Sequence, residues 1–319
     1  MHVLVTGACG FIGSHVCAAL LARGNTVTGI DDFNAFYDPH IKLAHARELE
    51  GNAAFSLVHG SILDPAALAA AFQGKPDVVV HLAAWAGVRP SIERPALYVR
   101  ENVDGTLAVL DAVRTHSPAP RVVFASSSSV YGNNSKVPFH EDDPIERCIS
   151  PYAATKRAGE QLAWTYHHLF GLDVVALRFF TVYGPRQRPE MAIHKFAKLL
   201  IAGLPVPRYG DGQSARDYTF IDDIVHGVLS AIDRGAGGYR IYNLGNSRTV
   251  TLDALIAGLA SALGVPTQVT ALPEQAGDVP ITFADISRAG AELDYRPKVP
   301  IERGLELFAR WFLAREKLA

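Results

Sequence analysis

Apolar and polar positions along the chain fall into two textures. Through the first half, short β-branched apolar runs alternate with amphipathic stretches of helical length, the pattern of βαβ units and a parallel sheet. His2–Thr6, Thr26–Ile30, Phe55–Val58, Val78–Leu82, Val122–Ala125 and Val174–Arg178 read as strands. Most are too continuously apolar to leave one face in water, as expected where helices cover both sides. A helix is predicted from about Ile12 to Ala22, with Val16, Ala19 and Leu20 at helical spacing and Gly24 as its stop. The expected fold class is α/β, a Rossmann-like doubly wound parallel sheet with a smaller mixed α/β substrate domain.

After Phe179 the texture changes. Pro185, Pro189, Pro205, Pro207, Gly210 and Gly212 make turns dominate the connections, and the substrate side is expected here. Ile224–Ile232 reads as a helix returning to the first domain, and Leu252–Leu263 and Ile301–Leu318 as helices of the smaller one. Residues 1–178 and 217–246 are therefore assigned to the first domain, and 179–216 and 247–319 to the second.

The 319 residues, 49% hydrophobic and 19% charged, suffice for one large core or two joined domains. A net charge of −2 supplies no broad basic field, so neither nucleic acid nor anionic lipid is an expected partner. No segment approaches the ~20 apolar residues of a membrane span, and the chain opens directly into a strand with no basic leader, so a cytoplasmic protein is expected. Cys9, Cys17 and Cys148 are odd in number and lack ligand spacing, so neither a disulfide framework nor a metal site is expected.

Val5-Thr-Gly7-Ala-Cys-Gly10-Phe11-Ile12-Gly13 spaces glycines at the junction of the first strand and helix. Small residues there let the backbone approach a pyrophosphate, which free amides and the helix dipole stabilise. Glycines alone also suit a purely steric turn. About twenty residues on, the second strand ends at Asp31-Asp32, where a carboxylate can accept the adenosine ribose hydroxyls. Asp31 falls at the strand end and is the expected acceptor, with Asp32 opening the solvated loop. An acid here disfavours a 2′-phosphate, so NAD is the expected cofactor. His81-Leu82-Ala83-Ala84 ends the fourth strand, where the cofactor would pass along the carboxyl edge; for His81 itself, a packed strand residue is an equal reading.

Tyr152 and Lys156 stand four residues apart, on one face of a helix. A neighbouring ammonium and a positive nicotinamide would lower the phenol from its ordinary value near ~10. Such a spacing also occurs in solvated pairs, but the strand end Ala125-Ser126-Ser127-Ser128-Ser129-Val130-Tyr131-Gly132 adds hydroxyls where a substrate oxygen would lie.

Together, the glycine turn, the HLAA segment, the serine run and the Tyr152/Lys156 pair resemble the extended short-chain dehydrogenase/reductases (NAD-dependent epimerase/dehydratase family) over essentially the whole chain. The resemblance implies a nucleotide-sugar enzyme in which Tyr152 is the acid/base at the sugar 4-hydroxyl. Lys156 would hold the nicotinamide ribose and Ser127 would share the hydroxyl proton. Gly7, Gly10, Phe11, Ile12, Gly13, Asp31, Asn34, Ile62, Leu82, Ala83, Ala84, Asn102, Tyr152 and Lys156 are the implied cofactor residues. Asn102 belongs to an Asn-x-x-Gly segment that helps order the site in the family, and also suits a helix cap. His59-Gly-Ser61-Ile62 departs by placing serine where many relatives carry aspartate.

Ser128 and Ser129 differ from the Asp-Glu of dehydratases, and Ser129 from the glutamate of decarboxylases, which resemble this family at the same point. Arg178-Phe-Phe-Thr181-Val-Tyr-Gly-Pro-Arg-Gln-Arg188-Pro-Glu-Met191, with Ala86-Gly-Val-Arg89, is similar to the UDP-glucuronate 4-epimerase branch, which interconverts UDP-glucuronate and UDP-galacturonate. Ser127, Ser128, Thr181, Arg188 and Arg89 are then candidates for substrate binding, hydroxyls holding a carboxylate without adding negative charge. Arg188 also reads as a surface cation. Arg216 inherits a diphosphate role by resemblance, its fork suiting phosphate. Gln275 stands where galactose epimerases carry an arginine, three residues before Asp278. Asp217, Asp222 and Asp223 read as residues that orient loops or cap the following helix. Another UDP-sugar 4-epimerase or a decarboxylase is the chemical alternative, and a non-catalytic NAD-binding sensor the remote one. The resemblance also implies a homodimer through helices near Val103–Thr115 and Ala153–Leu169.

Overall fold

The computed structural model describes residues 1–235, 237–273 and 279–316; Gln275 and Asp278 lie outside them. Among these are twelve strands: β1 His2–Thr6, β2 Thr26–Asp31, β3 Phe55–His59, β4 Val78–His81, β5 Arg121–Ser127, β6 Val174–Phe179, β7 Thr181–Tyr183, β8 Val206–Tyr209, β9 Ala215–Phe220, β10 Tyr239–Leu244, β11 Thr249–Thr251 and β12 Val269–Leu272. Seven form a parallel sheet in the order β10-β6-β5-β4-β1-β2-β3. From β1 the chain winds outward to β2 and β3, then crosses back to β4 on the other side. Strand order thus reverses between β1 and β4, and a crevice opens beyond their carboxyl ends, where α/β sheets bind ligands.

All six strands read from the sequence are present, with ends shifted by two residues at most. β5 runs on through Ser126 and Ser127, which pair with Arg178 and Phe179 of β6 and are buried. β10 escapes the apolar pattern because Arg240 and Asn243 interrupt it. Asn243 is nevertheless fully buried, its amide donating to the carbonyls of Phe139 and Asp285. The helix expected over Val103–Thr115 is Gly105–Arg114, preceded by a π-helical turn at Val99–Asp104; such widened turns often mark functional sites.

The remaining strands form a three-stranded sheet, β11-β9-β7, and a two-stranded pair, β12-β8. One continuous core runs from Val3 and Val5 of β1 to Phe308 and Phe312 of the helix Ile301–Glu316. Among the described residues, no helix is long and apolar enough to cross a membrane, and no group of three or more His, Cys, Asp or Glu side chains is placed to hold a metal ion.

Candidate active site

A cleft of about 410 Å³ lies along the carboxyl edge of the large sheet. Its floor is the turn after β1. Gly7 has φ +67°, and a Cβ there would sit 2.9 Å from the Ala83 nitrogen, at the end of β4. A Cβ on Gly13 would fall 2.1 Å from the Gly7 carbonyl oxygen, so the helix Phe11–Ala22 can pack against the turn only without one. The turn is thereby open to a phosphate beside the helix N-terminus. Gly10, Phe11, Ile12, Asn34, Ile62, Leu82, Ala83 and Ala84 share the lining.

Asp31, the last residue of β2, is buried and also lines this end. One of its oxygens accepts the Cys9 N–H at 3.0 Å, and the other accepts from the Phe33 N–H at 2.9 Å and Lys42 Nζ at 3.3 Å. With about four acceptor sites on a carboxylate, room remains for a ribose hydroxyl. This cradle and its acid fit an adenine dinucleotide. Lys42 was not found in the sequence, where nothing distinguishes it from a solvated helix lysine; it is buried because it answers Asp31.

Tyr152 lies in the first turn of the helix Pro151–Phe170, started by Pro151 and capped by Ser150, whose hydroxyl accepts the Ala153 N–H. Burial pushes the phenol above its ordinary value, against a hydrogen bond with Ser127 and the charge of Arg188. The lowering expected from a neighbouring ammonium and a positive nicotinamide is not seen in the protein alone: desolvation dominates, and the opposing contributions come from Ser127 and Arg188. Lys156, fully buried, donates to the Ala125 carbonyl at 2.7 Å and lies 5.3 Å over the Phe124 ring. Burial pulls its ammonium down to about 8. Ser127 accepts the Ser129 N–H at 3.2 Å, and its Oγ is 3.1 Å from that of Ser129. Its one proton can thus face either Ser129 or Tyr152. Ser127, Ser128, Tyr152, Lys156, Thr181 and Arg188 all line the same cleft as the glycine turn.

Asn102, Arg89 and Arg216 stand outside that lining. Asn102, in the π-helical turn, is buried and grips Trp85 twice: it accepts its N–H at 2.7 Å and donates to its carbonyl at 2.9 Å, and it also donates to Thr155. It braces the wall after β4 against the Tyr152 helix. Arg89 is exposed, its guanidinium 5.6 Å over the Tyr209 ring, and Arg216 donates to the carbonyls of Ala215 and Pro280. His81 is a packed strand residue, bridging Thr6 and Thr106 with its ring nitrogens, and burial pushes it down to about 3. Asp217 and Asp223 hold loops, accepting the N–H groups of Asn246, Ser247 and Ala284 and of Lys298 and Val299 respectively.

Beneath the serine strand lies a buried polar network unforeseen in the sequence. Glu160, one turn beyond Lys156, accepts from Ser126 at 2.6 Å, from Arg178 through a two-bond fork at 2.8 and 2.9 Å, and from Arg157 at 2.8 Å. Arg178 continues to the Tyr131 hydroxyl, which donates to Asn243. An acid on the inward face of that helix was the available signal.

Residues 3–245 match the NAD dependent epimerase/dehydratase family. The chain is similar to UDP-glucuronate 4-epimerase 3 of Arabidopsis thaliana, 45% identical over 98% of this chain and 76% of that protein. It is also similar to the UDP-glucuronate 4-epimerase of Thermodesulfobacterium geofontis, 40% identical over 97% and 95%. Among solved structures, UDP-glucuronic acid 4-epimerase from Bacillus cereus in complex with UDP-glucuronic acid and NAD superposes with a TM-score of 0.93 at 36% identity, each chain fully covered. With the cradle, the paired carboxylate and the Tyr–Lys–Ser constellation in one cleft, the chain belongs to the NAD-dependent epimerase/dehydratase family.

Proposed function

We propose that this protein is an NAD-dependent UDP-glucuronate 4-epimerase, interconverting UDP-glucuronate and UDP-galacturonate. The observation that supports this reading is the composition of the cleft that holds Tyr152 and Lys156: the hydroxyls of Ser127, Ser128, Ser129 and Thr181 line it together with Arg188. A dehydratase needs an extra acid and base at positions 128 and 129; neutral hydroxyls and a guanidinium suit a substrate carboxylate instead.

Bound NAD supplies a two-electron acceptor that gives the same two electrons back, so the reaction has no net redox change. Tyr152 takes the proton of the 4-hydroxyl, with Ser127 sharing it, and returns it after the 4-keto sugar has presented its other face. Lys156 holds its ammonium beside this centre, while Asn102 fixes the adjoining wall. The 4-keto acid loses carbon dioxide most readily when its carboxylate bond aligns with the carbonyl π system. Hydrogen bonds from Ser127, Ser128 and Thr181, with Arg188, oppose that alignment. Arg216 and Gln275 are proposed for the diphosphate of the substrate, with Asp278 and Arg89 as further substrate contacts.

The glycine turn, Asp31, Asn34, Ile62 and Leu82–Ala84 are proposed as NAD contacts. The division into 1–178 with 217–246 for NAD and 179–216 with 247–319 for the sugar nucleotide draws support from the sheets, although its boundary cuts through β9. Unpaired Cys9, Cys17 and Cys148 support a reducing, cytoplasmic setting, and we propose a homodimer.

The test is NMR of the purified protein with UDP-glucuronate and NAD⁺, following anomeric signals and carbon dioxide. UDP-galacturonate without UDP-pentose is expected, with no product from Tyr152→Phe. A pentose product makes the protein a decarboxylase, and a fully active Tyr152→Phe removes the acid/base assignment.

A further inference from the structure

The loop after β7 carries two charges that face each other. Arg188 lines the cleft with its guanidinium 5.4 Å over the Phe36 ring, and its Nε lies 2.7 Å from Glu190 Oε1. The contact is not a hydrogen bond: Arg188 Nε and both Glu190 oxygens are buried without a hydrogen-bond partner among the described residues. Yet the Glu190 side chain is 32% exposed. Its stem meets water while its carboxylate turns inward to a misaligned ion pair. A buried, unsatisfied carboxylate with water so near calls for a reason.

The backbone around the pair is fixed. The His15 ring bonds the Pro185 carbonyl at 3.0 Å, Arg186 is ion-paired with Glu48, and the His194 ring bonds the Gln187 carbonyl at 2.9 Å. The Glu190 side chain has no such tie beyond Arg188. We propose that Glu190 is a placeholder for the substrate's carboxylate: it neutralises Arg188 in the empty cleft and yields the guanidinium when the sugar carboxylate enters. A lone guanidinium among aromatic rings is costly to desolvate. Two carboxylates on one guanidinium would leave an uncompensated negative charge inside, and Glu190, with its stem already in water, is the one that can turn outward. A neutral sugar brings no replacement anion, so the pair stays closed. Glu190 therefore competes with carboxylated sugars alone, a role that rests on the UDP-glucuronate reading above.

The test is titration calorimetry of the NAD-loaded protein with UDP-glucuronate and with UDP-glucose. Glu190→Gln is expected to bind UDP-glucuronate about fivefold tighter, the size of a modest ion pair, with no gain for UDP-glucose. In an Arg188→Gln background, Glu190→Gln should bring no gain for either sugar. If Glu190→Gln fails to tighten UDP-glucuronate, or tightens both sugars equally, the placeholder role is overturned. A wild-type protein that holds UDP-glucose as tightly as UDP-glucuronate overturns the substrate assignment itself.

Discussion

Lys156 shows how one buried side chain sets opposing demands. Its ammonium is drawn down to about 8 by burial, whereas an unfolded lysine keeps its proton to ~10.4. Between those values the unfolded chain binds more protons than the folded one, so this site's contribution to stability rises with pH across that window. In the cofactor-free protein, the wild-type stability relative to Lys156→Met should therefore climb from about pH 8 to 10, by at most about 1.4 kcal/mol per pH unit. Urea midpoints at each pH check this, and a flat difference would mean the ammonium is not desolvated. Turnover should run the other way, falling as pH passes about 8 and the charge is lost. The pair Tyr152 and Lys156 was legible in the sequence because their spacing puts them on one helical face and the serine run 126–129 supplies hydroxyls to go with them. The rise of the phenol was not, because desolvation depends on what packs around a group rather than on its neighbours in the chain.

At the scale of elements, the sequence disclosed strands by their unbroken apolar runs and missed the places where polar groups are buried against one another. The carboxyl end of β5, β10 and the Glu160 network are all of this kind. Glu160 binds Ser126 of β5 and Arg178 of β6, and so fixes the strand that carries Ser127 against the helix that carries Tyr152 and Lys156. Burial raises the Glu160 carboxyl, but the bonds from Arg178, Ser126 and Arg157 outweigh it and hold the group below its ordinary range. Arg178 is 1% exposed, so Glu160→Gln strands a buried cation and should cost about 3–5 kcal/mol in urea unfolding. Replacing both partners, Glu160→Gln with Arg178→Met, should cost less than the two single changes added together. Additive losses would show that the fork is not a coupled pair.

At the scale of the whole molecule, the glycine turn, the helix bearing Tyr152 and Lys156 and the loop bearing Arg188 meet in one cleft of a single chain. Assembly is then a matter of the outer surface. Leu169 is 62% exposed and Phe170 48% exposed at the end of the helix Pro151–Phe170, which packs beside Gly105–Arg114. Leu107, Ala108, Ala112 and Leu162 are only partly covered on the same pair of helices. The homodimer proposed above would use these side chains as an apolar strip, each helix meeting its own copy across a twofold axis. Sedimentation at micromolar concentration should therefore report twice the 34.4 kDa of one chain. Thr165 and Leu169 are both exposed, one turn apart, so Thr165→Glu with Leu169→Glu should leave the fold intact. Doubled across the axis, those charges repel, and the variant should sediment as a single chain. Because the glycine turn, the helix bearing Tyr152 and the loop bearing Arg188 all come from one chain, that single chain should keep its turnover while melting at a lower temperature, since it has lost the stabilisation that association lends the folded state. A wild-type protein sedimenting at 34.4 kDa would leave the strip without a partner and remove the dimer from this account.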